Sequence, residues 1–326
     1  MQEEALSAIR FLARNLGDSF GVPARLRQFV ADHHDLCVPL RAPPESVAAG
    51  DVVRWQWWDK RELQYWRGPA PYYGATTVDR DDLNHFVIET VDDNWSCEIR
   101  DVVGLSASRA NLSKFHTLDE LAETVFPGML HPASERKIRE LLKKYNYYNE
   151  VSGITDPQKR SGRFWRYMWD GGRVHLANSV DMHPLVAARY IAGRIGVPVR
   201  LYGKLHTFRI NLSAALSLTA DFDIYTMPGP SAYVDFGEAM RMFGAPYGVY
   251  SLPCGVLFDA GRGMTRYRGS GAVYDSLEDH RYQSVDLILL PRADKLAMRV
   301  SSVLRQAGLF DAGRFILETA HGQEAV

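Results

Sequence analysis

The spacing of apolar and polar positions divides the chain into helical, extended and irregular stretches. Leu6, Ile9, Leu12, Ala13 and Leu16 share one face of a helix over residues 3–16, with Gly17 as its stop. A second short helix is expected after Pro23, and the run RAPPESVAAG at 41–50 breaks the pattern into a loop. Strand-like segments follow at 51–58, 85–90 and 96–105, separated by polar turns at 79–84 and 92–94. Thr117-Leu118-Asp119-Glu120 has the form of a capping box, with a hydroxyl and a carboxylate three residues apart, and opens a helix to about Phe126. Ile138, Leu141, Leu142 and Tyr145 mark another helix, from Ser134 to about Tyr145.

Residues 173–210 carry the clearest pattern. Val174 and Leu176 begin a short strand that runs into the turn formers Asn178, Ser179 and Asp181. Pro184 suits the first turn of a helix, where its missing N–H has no intrahelical partner. Ala187, Ile191 and Ile195, with Ala188 beside them, form a narrow apolar stripe that permits close approach to a sheet. Gly196 is a natural stop, and Val197-Pro198-Val199 starts the next strand. If the two strands are parallel, the crossover is right-handed and the turn at 179–183 lies at a strand's carboxyl end, where open α/β sheets bind ligands.

Beyond residue 211, NLSAALSLTA predicts a short helix, FDIYTM a strand, and the Gly- and Pro-rich run 228–271 a loop-dominated region with short strands. The run 285–290, apolar but for Asp286, suits a buried strand, and Asp294 caps a helix carrying Leu296, Val300, Val303 and Leu304 that Gly308 ends. Together these elements predict an α+β fold, a mixed sheet with the central strand–helix–strand unit and flanking helices. The polar loop 149–163 is the expected boundary between an N-terminal α+β region, residues 1–150, and a second region, 151–326, holding the central unit with the C-terminal strands and helix.

Composition narrows the partners only by exclusion. Lys plus Arg number 38 and Asp plus Glu 39, so no global field selects a nucleic acid or a membrane surface. Cys37, Cys97 and Cys254 are odd in number and far apart, which speaks against a disulfide framework and against zinc spacing. No segment reaches the ~18 apolar residues of a membrane span. The opening MQEEALSAIRFLARNLG carries acids and no long apolar run, unlike a signal peptide. A cytoplasmic protein without membrane association is expected.

On this reading Asp181, His183, Lys204 and His206 gather at the N-terminus of the central helix, where free backbone N–H groups and the helix dipole favour an anion. A nucleotide or phosphate ligand is therefore expected, with His183 and Lys204 supplying positive charge and Asp181 capping the helix. The strand, D-x-H turn, Ala-rich helix and V-P-V strand resemble the core of the ParB/sulfiredoxin-like fold, whose D-G-x-H-R turn binds nucleotide phosphate. That resemblance puts Asp181 and His183 in the Asp and His places, while Met182 directly follows Asp181 and Pro184 stands where the Arg would be. The segment Gly196-Val197-Pro198-Val199-Arg200 also resembles the G-I-P-A-R-like strand of transglutaminase-like and papain-like cysteine hydrolases. This second resemblance implies roles for His206 and for Asp221 or Asp223, yet no cysteine lies between Cys97 and Cys254 to serve as the nucleophile, which leaves a pseudoenzyme. Over most of the chain, the phrases EIRDVVGLS, NSVDMHPLVAARYIAG, YGKLHTFRIN and FDIYTMPGP are similar to an uncharacterised family of proteobacterial and prophage proteins.

Two further stretches suggest partners. Within residues 136–173 basic side chains outnumber acidic ones ten to four, interleaved with Tyr145, Tyr147, Tyr148, Phe164, Trp165, Tyr167 and Trp169. Cations beside stacking rings suit single-stranded nucleic acid, with Lys143, Lys144, Arg160 and Arg163 as the phosphate contacts, unless the rings serve a core instead. Trp55, Trp57, Trp58, Tyr65 and Trp66 could form a protein-binding patch between Trp55 and Trp66, or a strand packed on a core. Asp79, Asp81 and Asp82 lack EF-hand spacing and read as turn residues, and no cofactor or metal motif is legible. No complete catalytic constellation is legible either. The chain reads as a binding protein, non-catalytic or weakly catalytic, with a nucleotide or anion site at the central turn. Nucleic-acid binding through 136–173, or protein interaction on a pseudoenzyme scaffold, are the alternatives.

Overall fold

The computed structural model of the chain describes residues 11–18, 21–40, 47–49, 52–60, 63–66, 76–106, 108, 110, 112–143, 162–177, 183–228, 231–252, 256–259, 264–267 and 282–323. A helical stretch at 11–18 precedes α1 (Ala24–Asp32), β1 (Leu63–Trp66), β2 (Thr76–Val78) and the single turn α2 (Asp81–Asn84). Next come β3 (Val87–Glu98), β4 (Val102–Leu105), α3 (Leu118–Val125), α4 (Glu135–Lys143), β5 (Gly162–Tyr167), β6 (Val174–Leu176), α5 (His183–Ile195) and β7 (Arg200–Ile210). The remainder is α6 (Leu212–Asp221), β8 (Phe222–Pro228), α7 (Ser231–Phe243), β9 (Tyr247–Ser251), β10 (Val256–Asp259), β11 (Met264–Tyr267), β12 (Tyr282–Pro291), α8 (Lys295–Gln306) and α9 (Ala312–Gly322).

The strands form two sheets, and the architecture is α+β. The first is mixed, in the order β3-β7-β5-β6-β4, with β5 parallel to β7, β4 parallel to β6 and the other pairs antiparallel. Helices α3, α4 and α5 cover one of its faces, where Leu121, Ile138, Leu185 and Ile191 pack with Phe164, Leu176, Leu201 and Leu205. The alanines at 187 and 188, fully buried, let α5 lie close to the strands. Thr117 Oγ1 accepts from Glu120 N at 3.0 Å, one half of the expected capping box, whereas Glu120 Oε2 reaches past the cap residue and accepts from His116 N at 2.8 Å. Residues on both sides of the 149–163 loop share this core, and residues 149–161 themselves lie outside those described.

The second sheet runs β11-β10-β12-β9-β1-β2, with β8 also paired to β12. In its central strand β12, residues 287–290 are apolar without alternation because both faces are covered there. Leu287 and Leu289 meet Leu218 of α6 and Ile316 of α9. Ile288 and Leu290 meet Phe236 of α7 and Leu304 of α8. Full burial of each such side chain contributes about 1.5–3 kcal/mol. Asp294 Oδ1 caps α8 through Leu296 N at 2.8 Å and Ala297 N at 2.9 Å, and Gly308 follows it at φ 76°.

Several expectations need correction. Residues 55–58, the second half of the strand expected at 51–58, belong instead to a 3₁₀ helix over Trp55–Lys60, whose Trp55 and Trp58 turn into the core between α2 and the second sheet. The expected turn at 92–94 is a register shift inside the single long strand β3. The strands flanking α5 are not a parallel pair: β6 is antiparallel to β5, β5 is parallel to β7, and β5 lies between them. The run 228–271 is not loop-dominated where it is described, since α7 and β9 occupy much of it. The last helix, α9, was not among the expected elements.

Candidate functional site

The residues expected at the central turn do not assemble there. His183, the first residue of α5, lays its ring 3.8 Å from that of Phe126, on the helical side of the first sheet. On β7, Leu201 and Leu205 face α5, so the alternating Lys204 and His206 point to the opposite face. There Lys204 Nζ pairs with Asp93 at 2.6 Å and His206 Nδ1 with Glu89 at 2.5 Å, both partners on β3. Asp181 lies outside the described residues. The residues of the hydrolase resemblance are likewise apart: Asp223 sits in the second sheet with Arg292 and Ser301, and Asp221 pairs with Arg80. Cys254 lies outside the described residues. Asp79 and Asp82 are engaged by Asn84 and Arg80, and no group of three or more His, Cys, Asp or Glu suited to a metal occurs among the described residues.

The basic and aromatic stretch is divided too. Phe164 and Tyr167 are fully buried, and Arg54 stacks over Trp165 at 4.9 Å. Of its expected cations, Lys143 lies exposed on α4 and Arg163 exposed on β5, whereas Lys144 and Arg160 lie outside the described residues. The parallel register sets Arg163 beside Lys204 and Trp165 beside His206, so groups expected at two separate sites are neighbours on one sheet face. The tryptophan patch is interior where it is described: Trp58 lies edge-on to Phe86 at 4.1 Å and to Tyr250 at 5.0 Å.

What the chain does build is a pocket of about 610 Å³ between the β5–β6 turn and α9. Trp169, Asp170 and Arg173, from the turn joining β5 to β6, form one wall. Phe315, Thr319 and Gln323, spaced along one face of α9 and its C-cap, form the other. Leu40, Val52 and Val53 close it with apolar surface. The turn is tight because Gly171 and Gly172 adopt φ of 66° and 69°, a conformation glycine takes without strain. Trp169 Nε1 donates to the Val53 carbonyl at 2.8 Å, which ties the two parts of the wall together.

Behind the turn stands a polar triad whose histidine is buried. Arg173 donates to Asp170 twice, Nε to Oδ2 at 3.0 Å and a terminal nitrogen to Oδ1 at 2.6 Å. His175, wholly buried, places Nε2 3.1 Å from Asp170 Oδ2. Burial holds the imidazole below its ordinary pKa, against the opposing pull of Asp170. His175 is therefore neutral at neutral pH, with Nε2–H donating to the carboxylate and Nδ1 left as a bare acceptor with no partner in the structure. On the opposite wall, Gln323 Oε1 accepts from Ile210 N at 2.8 Å. That bond fixes the amide's orientation, because only the oxygen can accept an N–H. Its Nε2 is buried without a hydrogen-bond partner, a state that costs about 1–3 kcal/mol when nothing satisfies it.

Of these cavity residues only Trp169 was named in the sequence, and as a stacking ring of the basic stretch 136–173 rather than as part of a pocket. The only available signal was the Asp-Gly-Gly turn in MWDGGRVH, which marks a hairpin but not a cavity. No helix of the described residues is long and apolar enough to cross a membrane. No curated protein and no solved structure matches the chain. A match does come from a family of unknown function, DUF6685, over residues 92–326, a span that takes in Asp170, Arg173, His175 and α9 with Gln323. Since that span is most of its length, the chain belongs to the DUF6685 family.

Proposed function

We propose that the protein binds a small molecule in the pocket between the β5–β6 turn and α9. One observation carries this: a space of about 610 Å³ has mostly apolar closure and a few oriented polar groups, Asp170, Arg173 and Gln323, on facing walls. Ligand pockets commonly have that size and make-up. The reading departs from the expectation of a nucleotide or anion at the central turn, because Lys204 and His206 are on the other sheet face and already paired with Asp93 and Glu89. A fragment library screened by ligand-detected NMR against the full chain tests the proposal. Saturable binders that Thr319→Trp abolishes, in a variant that keeps its circular dichroism spectrum, support it. A library with no binder, or binders indifferent to Thr319→Trp, overturns it.

A second reading rests on the register that sets Arg163 beside Lys204 and Trp165 beside His206. Bases stacking on such rings with phosphates on the cations would make this face a single-strand platform. The carboxylates of Glu89 and Asp93 on the same strand edge oppose it. A mobility assay with labelled single strands at low salt decides: no shift removes the reading.

A further inference from the structure

We infer that the cavity selects an uncharged ligand carrying a hydrogen-bond acceptor, a carbonyl oxygen or ring nitrogen, which takes the Gln323 amide N–H; this rests on the cavity being the binding site. Three observations lead there. Gln323 is nine-tenths buried, at 6% exposure, and borders the cavity. Its oxygen is committed to Ile210 N–H at 2.8 Å, and its Nε2 has no partner in the structure. A buried donor of this kind is satisfied by an ordered water or by the acceptor of a ligand, and of the two only a ligand also fills the apolar part of the pocket. Finally, the charges on the walls are compensated within the protein. Asp170 is held by Arg173 through two bonds, and Glu318 pairs with Arg314 at 2.7 Å. A carboxylate or ammonium ligand would enter a largely apolar space in which each opposite charge already has a partner, so its lost hydration would go uncompensated.

Three probes that share one ring separate these properties: benzamide, benzoate and benzylamine, which is cationic at neutral pH. Titrated into the full chain and followed by NMR, benzamide should bind at least tenfold more tightly than either charged probe, and should shift the Gln323 side-chain amide signals. Gln323→Glu at pH 8 keeps the acceptor for Ile210 and removes the donor, so benzamide should weaken at least fivefold while benzylamine gains. Gln323→Met has no donor at any pH and should weaken benzamide as well, which guards against a protonated glutamic acid standing in for the amide. Equal binding of the three probes, or benzamide binding unchanged in both variants, overturns the inference. If library fragments bind in a Thr319→Trp-sensitive way while benzamide does not bind, the ligand class is wrong and the cavity stands. If no fragment of any class binds, the cavity reading falls as well.

Discussion

Gly104 and His175 face one another in the parallel β4–β6 ladder, and the pairing leaves no room for a side chain on the glycine. A Cβ at Gly104 would lie 2.6 Å from His175 Nδ1 and 2.6 Å from the Val47 carbonyl oxygen. Both neighbours are rigid, one a buried ring and the other backbone. Gly104→Ala should therefore destabilise the protein by about 1–3 kcal/mol, as overpacking does. Urea unfolding would show it as a lowered midpoint at unchanged slope. A variant as stable as the parent would mean that β4 moves away from β6 at little cost.

The same histidine gives a pH dependence. Burial lowers the folded pKa of His175 below its ordinary value near 6.5. Between the two values the unfolded chain binds more protons than the folded one, so stability rises with pH through that window and levels off above about pH 6.5. As pH falls below that point, up to about 1.4 kcal/mol per pH unit is lost from this one group. Unfolding free energies measured from pH 5 to 8 for the parent and His175→Gln check it. The acid-side slope should be shallower in the variant, and identical slopes would assign the titration elsewhere.

Local chemistry was legible and long-range placement was not. The caps at Thr117 and Asp294, the stops at Gly196 and Gly308 and the buried run of β12 depend on neighbours in sequence, and each is found where the pattern puts it. The candidate site at the central turn required β6 and β7 to be adjacent and parallel. Strand order, which inserts β5 between them, is not written in the period of either strand. Once β5 is inserted, the alternation of β7 sends Lys204 and His206 away from α5, and the expected cluster dissolves. The observed cavity joins Trp169 and Asp170 to Gln323, some 150 residues on, and no local signal encodes such a meeting.

Tryptophan density in the 55–66 segment illustrates the same limit, and its energetic consequence can be measured. Trp58 is fully buried, edge-on to Phe86 and Tyr250, and its backbone carbonyl accepts from the Tyr250 hydroxyl. Removing such a ring leaves a cavity lined by aromatic faces that do not collapse into it. Trp58→Ala should cost about 3–5 kcal/mol. Thermal unfolding would report this directly, whereas an exposed binding residue would change stability by only a few tenths of a kcal/mol.

Cys37 and Cys97 should differ sharply in reactivity. Cys37 is exposed, whereas Cys97 is buried on β3 beneath the first sheet's helices, and burial, reinforced by the nearby Asp101 and Glu98 carboxylates, pushes its thiol up to about 12. The thiolate is the reactive form, so its fraction at pH 8 is about one in ten thousand at Cys97. Native iodoacetamide labelling followed by peptide mass mapping should modify Cys37 and leave Cys97 untouched until denaturant is added. Rapid native labelling of Cys97 would show that β3 opens from the sheet edge.

Lys204 and His206 offer the last discrimination, between a ligand at the cavity and an anion at the central helix. Both side chains project from the face opposite α5, and the pair Lys204–Asp93 is half exposed on each side, so it contributes at most about 1 kcal/mol. Neither residue borders the cavity. Lys204→Ala and His206→Ala should therefore leave the affinity for a cavity-bound fragment within about twofold of the parent, and melting temperatures nearly unchanged. Inorganic phosphate and adenosine diphosphate should give no thermal shift with any of the three proteins. A phosphate-dependent rise in melting temperature that Lys204→Ala removes would restore the anion site, because the two carboxylates now paired with these side chains would then have to give way to the ligand.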